Sequence, residues 1–386
     1  MQKPVARANE KLGRRSQSSH PRRLVRPRCI SVVRTHHPAG KAACIAPEIL
    51  TPIVSVPPAE IADEVRRSLR DLQEGLDGSD IPAKRLDHNL LIATWNVRAL
   101  GALTEKWQSE ASDTPKRNLH DIHAIAEIVS RFDVVAIQEA REDLTALRRL
   151  MQALGPSWGL ILTDVTWGEP GNGERLAFVF DMRRVKPSGL ACELVVPAEW
   201  LAESEEDARE NDKIRMDGLY KQFARTPYAV SFESAGQTFV LVALHVWYGK
   251  KATEREPELR AIAEWLSRWS SRGGPYEQNF IALGDFNIDR KGDPNWEAFA
   301  SHGLRAPAEL DEALRTISDQ PGDPNFYDQI AWFHENGKAK LSLEYTGRAG
   351  SFDWTQHVLQ GVGDTEKSWR ISDHFPLWAE FSVRRT

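Results

Sequence analysis

The sequence predicts a layered α/β domain, and two observations predict it. Short apolar segments alternate with amphipathic helical segments along residues 90–383, and many of the short segments are apolar at consecutive positions. Consecutive apolar residues suit strands that are buried on both faces, whereas a sheet with one face in water shows strict alternation. The strands are therefore expected to lie between other layers of the domain.

The first 57 residues are predicted to be a disordered basic extension. Residues 1–41 carry eleven Lys or Arg and a single acid, Glu10, and residues 1–57 show little apolar periodicity. Such a segment cannot offset the entropy that ordering would cost. Three roles are open for it: contact with nucleic acid, a targeting peptide of the Arg-rich and acid-poor kind, or no role.

Residues 58–86 are predicted to form an amphipathic helix and a linker. Apolar residues recur there every three or four positions and form one stripe that ends near Gly78. The stripe consists of Ile61, Val65, Leu69, Leu72 and Leu76. We expect this helix to pack on the main domain, which is placed at residues 87–386, after a linker that contains Pro82.

Nine strands and three helices are predicted in the main domain. The strands cover residues 90–96, 133–139, 175–180, 191–196, 228–232, 238–246, 279–287, 327–333 and 375–383. Apolar residues keep helical spacing at 119–129, at 144–154 and from about 256 to 272. The acidic stretch 199–217 is either a helical insertion or a solvated loop.

Composition limits the compartment and the partners. Of the chain's 50 basic and 55 acidic residues, residues 42–386 keep 39 and 54, a net charge of −15. The apolar stretch 42–59 is broken by Glu48 and four prolines, so no membrane span is predicted. Cys29, Cys44 and Cys192 fit neither a disulfide framework nor a paired-cysteine metal site, and they indicate thiols in a reducing compartment, the cytoplasm. A monomer without an obligate protein partner is expected.

Polar residues stand at the ends of five predicted strands. They are Asn96, Glu139, His245, the pair Asp285 and Asn287, and the pair Asp373 and His374, which comes just before the final strand. A single Asp after a strand is usually a turn former. Strand ends in layered α/β domains, however, commonly gather at one edge, where loops make a cleft. Their joint occurrence predicts an active site.

The residue types at these strand ends predict a hard cation, Mg²⁺ or alternatively Mn²⁺. Carboxylate and amide oxygens without cysteine clusters favour such an ion over zinc. Mg²⁺ keeps several waters and shares sites with substrate phosphate, so Asn96 and Glu139 suffice as protein ligands. Phosphodiester hydrolysis needs a cation on the charged oxygens and proton transfer on both sides, which two histidines would supply.

Eight sequence blocks resemble, in order, the motifs of the endonuclease/exonuclease/phosphatase superfamily. They are ATWNVRALG, VVAIQEAR, GERLAFVF, FARTPYAV, LVALHVWYG, IALGDFN, YDQI and SDHFPLWAEF, which lie within residues 90–383. The resemblance implies a four-layer α/β/β/α sandwich, in which two packed mixed β-sheets are flanked by helices. Residues 1–86 lie outside it.

Within the superfamily, the sequence is most similar to DNase I-like nucleases. Arg98 follows WNV and Arg141 follows QEA, as in the DNase I pattern. The resemblance implies that Arg225 contacts the scissile phosphate, and Arg98 and Arg141 are further candidates for phosphate binding. Arg148 and Arg149 are either part of a basic patch or a solvated helix face.

The resemblance also implies roles for the remaining site residues. Glu174 would orient His245 and Asp328 would orient His374, and the two histidines would be general acid and general base in either order. The other implied roles are metal binding by Asn96 and Glu139, a second ion or water orientation by Asp285 and Asp373, and a hydrogen bond from Asn287 to the phosphoryl oxygen.

Departures from the DNase I pattern bear on the substrate. Asn172 stands where DNase I places a groove-inserting tyrosine, which counts against minor-groove reading of duplex DNA. Trp247 and Tyr248 would either stack on bases or cover the core.

Three function classes are open. The first is a nuclease, expected to be an endonuclease acting on DNA or RNA. The second is a phosphatase or lipid-head-group phosphodiesterase of the inositol phosphate or sphingomyelin type, and the third is a catalytically silent nucleic-acid-binding protein. The blocks GDFN and YDQI favour the first class, because inositol-phosphatase variants usually show GDLN and WCDR.

Overall fold

The computed structural model describes residues 61–167, 171–196, 222–271 and 279–383. The extension predicted at residues 1–57 and the acidic stretch at 199–217 lie outside these ranges, as do Cys29 and Cys44. Within the described ranges, no helix is both long enough and apolar enough to cross a bilayer.

The described strands form two mixed β-sheets. The first contains β1 (Asn89–Leu100), β2 (Val134–Arg141), β3 (Trp158–Leu162), β4 (Glu174–Asp181), β12 (Glu344–Ser351) and β13 (Leu377–Ser382), in the order β12-β13-β1-β2-β4-β3. The second contains β5 (Lys186–Glu193), β6 (Tyr228–Ser234), β7 (Gln237–His245), β8 (Phe280–Ile288), β9 (Leu304–Arg305), β10 (Phe326–Glu335) and β11 (Lys338–Ala339). Its order is β11-β10-β8-β7-β6-β5, with β9 paired to β10.

Helices lie on the outer side of each sheet. The core outside the first sheet includes α1 (Asp63–Asp77), α2 (Leu119–Ser130) and α3 (Thr145–Leu154). The core outside the second includes α4 (Glu256–Ser270) and α5 (Pro294–Ala300), and α6 (Asp364–Arg370) lies beside β1.

Alternating side chains of each central strand enter different cores. On β1, Leu90 and Ile92 pack between the two sheets, whereas Leu91, Ala93 and Trp95 pack against α1–α3. The side chains of β7 and β8 divide in the same way between the inter-sheet core and the core under α4 and α5. Both faces of these strands are thus buried, and the predicted four-layer α/β/β/α sandwich is confirmed.

Helix α1 attaches to the first sheet through the predicted stripe. It ends at Asp77, directly before Gly78, and its apolar residues pack in the same core as α2. The segment after it is also fixed, because buried Lys84 donates a hydrogen bond of 2.8 Å to Asp181 at the end of β4. These contacts hold residues 61–88 against the sheets.

The unpredicted elements are short or lie at sheet edges. β3, β9, β11, β12, α5 and α6 were not predicted, and β5 covers Lys186–Glu193 where the prediction gave 191–196. Strand β12 ends the first sheet and β5 ends the second, and the residues of both are exposed or only partly buried. Partly solvated edge strands carry few apolar residues, so they lack the signal that revealed the central strands.

Candidate active site

The candidate site lies at one end of the two sheets, where strands of both directions place polar residues. In the second sheet, β7 runs parallel and β10 antiparallel to β8, and the register pairs His245 with Asp285 and Asp285 with Asp328. In the first sheet, Glu174 begins β4 opposite Arg141 at the end of β2. The beginnings of antiparallel strands therefore add residues to the edge where the parallel strands end.

His245 is held by a buried carboxylate. Its Nδ1 lies 2.9 Å from Oε2 of Glu174, and Nε of Arg225 lies 2.7 Å from the same oxygen. Burial alone would raise the pKa of Glu174, but the contact with His245 and the charges of His245, Arg225 and Arg141 lower it to about 2. Glu174 is therefore a carboxylate at neutral pH and fixes one nitrogen of the His245 ring.

His374 is held in the same way by Asp328. Its Nδ1 lies 2.6 Å from Oδ2 of Asp328, which is fully buried. Burial alone would lower the pKa of His374, but the negative charge of Asp328 raises it to about 10. Burial raises the pKa of Asp328 to about 6 in spite of the contact with His374. The carboxylate of Asp328 therefore favours the charged form of the His374 ring.

Asp285 lies between the two histidines. Its Oδ2 is 3.6 Å from Nε2 of His245 and 3.9 Å from Nε2 of His374. The same oxygen accepts a hydrogen bond of 3.0 Å from Nδ2 of Asn96. The structure thus brings the free ring nitrogens of both histidines to one carboxylate oxygen, beside a residue predicted to bind the cation.

The residues predicted to hold the principal cation fit a hard divalent ion. Oδ1 of Asn96 is buried and has no hydrogen-bond partner among the described residues, although Nδ2 of the same amide is fixed by Asp285. A buried amide oxygen without a donor suits a cation. No group of three or more His, Cys, Asp or Glu in the described ranges is arranged to hold a metal. An ion here would therefore rest on Asn96 and Glu139, with water and substrate phosphate completing its coordination.

Four residues near the site have a left-handed backbone although none is glycine. Glu139 has a φ of 62°, Asn287 of 53°, Asn172 of 56° and Ala99 of 45°. The pairing of β2 with β1 shifts register between Asn96 and Leu100, and the pairing of β2 with β4 shifts between Ile137 and Ala140, so Glu139 lies at an irregularity of both ladders. Such conformations cost about 1–3 kcal/mol each and concentrate at functional sites.

Contacts of Asn287 fix it beside Asp285. Its backbone N–H donates to Oδ1 of Asp285 at 2.9 Å, and its Nδ2 donates to the carbonyl oxygen of Val246 at 2.7 Å. An amide nitrogen carries two hydrogens. Asn287 therefore keeps one donor for the phosphoryl oxygen assigned to it by resemblance.

The predicted phosphate-binding arginines differ in environment. Arg225 is buried, and its Nη1 has no hydrogen-bond partner among the described residues. Arg98 donates to Asp373 at 2.9 Å, and its guanidinium lies 4.0 Å from the ring centre of Trp369. Arg141 lies 3.2 Å from Glu139. Arg225 is thus the arginine with a free donor in the buried part of the site, whereas Arg98 and Arg141 lie nearer its rim.

Asn172 turns toward the site in place of the groove-inserting tyrosine. Its Nδ2 donates to Oε1 of Glu174 at 2.7 Å, and its carbonyl oxygen accepts from Arg141 at 2.6 Å. Asn172 therefore supports the carboxylate that holds His245.

The two arginines of α3 that were candidates for a basic patch differ in their contacts. Arg149 is paired with Glu105 at 2.8 Å, and Arg148 is exposed.

The two aromatic residues after β7 also differ. Tyr248 is 54% exposed, and its ring centre lies 6.4 Å from that of Tyr327, which lies 6.2 Å from His374. Trp247 is partly buried. The exposure of Tyr248 excludes the interpretation that its ring covers the core.

Sequence reasoning missed Ser372, which joins two parts of the site. Its buried hydroxyl donates to the carbonyl oxygen of Asn96 at 2.6 Å and accepts backbone N–H groups of Arg98 at 3.2 Å and His374 at 3.0 Å. The indole N–H of Trp95 donates a hydrogen bond of 2.9 Å to the carbonyl oxygen of His374. The position of Ser372 directly before Asp373 and His374 was the available signal.

Glu258 on α4 was also missed. It is buried near Arg225 and Trp247, and Oε1 has no hydrogen-bond partner among the described residues. Burial raises its pKa to about 7, although the charges of Arg225 and His245 and backbone hydrogen bonds from Trp247 and Ala224 act to lower it. Glu258 lies four residues before Ile262 and eight before Leu266, so it stands on the apolar face of the helix. An acid at such a position was the signal in the sequence that Glu258 is buried.

Comparisons with known proteins agree with this architecture. Residues 93–374 match the profile of the Endonuclease/Exonuclease/phosphatase family. Over 305 residues the chain is 27% identical to a protein named deoxyribonuclease from Thioalkalivibrio sp. (strain K90mix), a match that covers 76% of this chain and 71% of that relative.

Two solved structures are among those similar to this chain. A humanized TDP2 of D. rerio matches 76% of this chain and 98% of its own, at 14% identity and a TM-score of 0.47. A mannosyl-6-phosphatase of Bacteroides thetaiotaomicron VPI-5482 matches 76% and 99%, at 18% identity and a TM-score of 0.46. Because the family match runs from β1 to His374 and covers strands of both sheets, all except β13, the chain belongs to the endonuclease/exonuclease/phosphatase family, whose members are hydrolases of phosphoester bonds.

Proposed function

We propose that the chain is a Mg²⁺-dependent endonuclease that hydrolyses phosphodiester bonds in DNA. The observation that carries the proposal is the approach of His245 and His374, each paired with a carboxylate, to one oxygen of Asp285. Two such histidines can serve both sides of a phosphorus centre. The deoxyribonuclease name of the Thioalkalivibrio relative supports DNA as the substrate.

The proposed reaction begins with phosphate binding. The free Nη1 of Arg225 and the second amide hydrogen of Asn287 would each donate to a non-bridging phosphate oxygen. A Mg²⁺ ion held by Asn96 and Glu139 would neutralise charge on those oxygens. These groups would make the phosphorus accessible to a nucleophile by reducing the repulsion from its charged oxygens.

Proton transfer would then use the two histidines. Asp285 would orient the attacking water, since its Oδ2 faces the Nε2 atoms of both rings. One histidine would accept a proton from that water, and the other would donate a proton to the leaving oxygen of the sugar. Glu174 and Asp328 would keep the rings in place and stabilise the charged form of each.

One assay tests the proposal against the other function classes. The purified full chain is incubated with Mg²⁺ and supercoiled plasmid, circular single-stranded DNA, RNA, inositol phosphates or sphingomyelin. We expect nicking of plasmid or cutting of circular DNA, which offers no ends to an exonuclease, and we expect excess EDTA to stop it. A His245→Ala preparation made in parallel controls for contaminating nucleases.

Two results would overturn the proposal. Hydrolysis of inositol phosphates or sphingomyelin without cleavage of nucleic acid would assign the site to the second function class. Undiminished DNA cleavage in excess EDTA would exclude the divalent cation. Preferred cleavage of RNA would change the nucleic acid but leave the chemistry in place.

A further inference from the structure

A cavity of about 730 Å³ lies beside the candidate active site. Four separate segments line it: the end of β1 and the residues after it, the segment before α2, the end of β2, and α6. Gly101, Ala102 and Pro115 contribute nonpolar surface, and Trp369 of α6 contributes an indole ring that is 51% exposed. Such an opening, with a partly exposed aromatic ring, suits a flat apolar group.

Two residues that line the cavity contact Glu139 of the predicted cation site. Ala99, one of its lining residues, donates its backbone N–H to Oε2 of Glu139 at 2.9 Å. Arg141 also lines it and lies 3.2 Å from Glu139. A group in the cavity would therefore lie near a phosphate bound at Glu139, within reach of one strand.

The charged residues that line the cavity are Lys116, Arg117 and Arg141 together with the acids Asp143 and Glu366. The guanidinium of Arg98 lies 4.0 Å from the ring centre of Trp369. Residues 42–386 carry a net charge of −15, so this part of the chain repels a polyanion at long range. Within residues 42–386, binding of nucleic acid then depends on local cations and on short-range contact with the apolar wall.

We propose that this cavity binds an unpaired nucleobase of the strand that is cut, stacked against Trp369. The inference rests on the proposed nuclease function and adds to it a preference for single-stranded or locally melted DNA. A base in a duplex is covered by its stacked neighbours and cannot enter a cavity without unstacking. The inward position of Asn172, which supports Glu174, agrees with a site that has no wedge for the duplex groove.

The test measures binding separately from cleavage. The full-length His245→Ala variant, with Mg²⁺, is titrated into a fluorescein-labelled oligothymidylate and into an abasic oligonucleotide of the same length and charge. We expect tighter binding to the oligothymidylate. Adding Trp369→Ala should weaken that binding about 5- to 100-fold, the range expected for loss of one stacked base, and should remove the difference between the two ligands.

Matched variants keep the result specific. Trp369→Phe retains an aromatic ring and should keep most of the preference for bases. Trp167→Ala removes another exposed tryptophan that is not among the cavity's lining residues, and it should leave both affinities unchanged. Thermal unfolding of every variant shows whether the fold is retained.

Three results would overturn the cavity assignment. The first is equal affinity for the two oligonucleotides, and the second is an unchanged preference after Trp369→Ala. The third is Trp369-dependent binding of phosphatidylcholine vesicles in place of DNA, which would assign the cavity to a lipid. Failure of the proposed nuclease function can be distinguished from these three results, because it appears as an absence of DNA cleavage by the wild-type chain.

Discussion

Asn96 and Asp285 join the two sheets through a hydrogen bond of 3.0 Å from the amide Nδ2 to the carboxylate Oδ2. Asn96 comes from β1 of the first sheet and Asp285 from β8 of the second, and both are buried. The contact directs the other amide atom of Asn96, its unpaired Oδ1, away from Asp285. One contact between the sheets therefore joins the residue proposed to bind the cation to the residue proposed to orient the attacking water.

We expect His245→Ala and His374→Ala each to lower kcat about 10²- to 10⁴-fold, the usual contribution of general acid–base catalysis. The double variant should lose much less than the product of the two, because residues that act as a unit are not additive. A nitrophenyl phosphodiester identifies the general acid. Nitrophenolate leaves without a proton, so the variant that lacks the general acid should regain activity on this substrate. Wild-type turnover by His245→Ala would exclude its catalytic role.

Glu139→Gln should abolish cleavage and weaken Mg²⁺ or Mn²⁺ binding measured by calorimetry, because a neutral amide replaces the charged ligand. The fold should persist, as judged by thermal unfolding. Glu142→Gln changes an exposed acid three residues later and is the matched control, for which we expect unchanged metal binding. If Glu139→Gln and Glu142→Gln bind the metal with equal affinity, Glu139 is not a ligand of the cation.

Ser372→Ala should lower both stability and kcat. The substitution leaves the carbonyl oxygen of Asn96 and the N–H groups of Arg98 and His374 without their common partner, and a buried unsatisfied group costs about 1–3 kcal/mol. Urea unfolding measures the first effect and steady-state kinetics the second. Ser271→Ala, at an exposed serine after α4, should change neither. A stability loss with unchanged kcat would make Ser372 merely structural.

Glu258→Gln should stabilise the protein above about pH 7. Burial raises the pKa of Glu258 in the folded state from 4.5 to about 7, so its favourable contribution is complete below pH 4.5 and is lost as the pH rises through 7. The neutral amide avoids that loss. The difference in melting temperature between variant and wild type should therefore increase from pH 5 to pH 8, whereas Glu256→Gln, at a less buried position on α4, should show no such increase.

Deletion of residues 1–57 should leave the melting temperature and DNA turnover little changed, because this segment lacks an apolar pattern that could join a core. Differential scanning calorimetry and the plasmid assay check the two expectations. A truncated chain that fails to fold would move the domain boundary toward the N-terminus.

The sequence was sufficient for the central strands and for the edge at which they place their polar residues. Strands β1, β7 and β8 have apolar residues on both faces, and that pattern has few interpretations other than burial between layers. Spacing along the chain did not reveal which acid holds which histidine. Glu174 and His245 lie on strands of different sheets, so their contact depends on how the sheets pack, and only the family resemblance indicated it.

Other features could not be predicted because they arise from several distant segments. The cavity beside Trp369 combines residues from the ends of β1 and β2, from the segment before α2 and from α6. Helix α6 is seven residues long and mostly polar, so it gave no periodic signal. The edge strand β12 was missed for a related reason, since a partly solvated strand needs few apolar residues.

The position of β13 has a consequence for the protein while it is being synthesised. β13 lies between β12 and β1 in the first sheet, so β1 lacks one neighbour until residues 377–382 have been translated. His374 is delivered by the segment directly before β13. A nascent chain therefore has an open first sheet and a single histidine of the pair, even after the site residues up to Asp328 have left the ribosome. The order of the strands delays assembly of the complete site until translation of this region is finished.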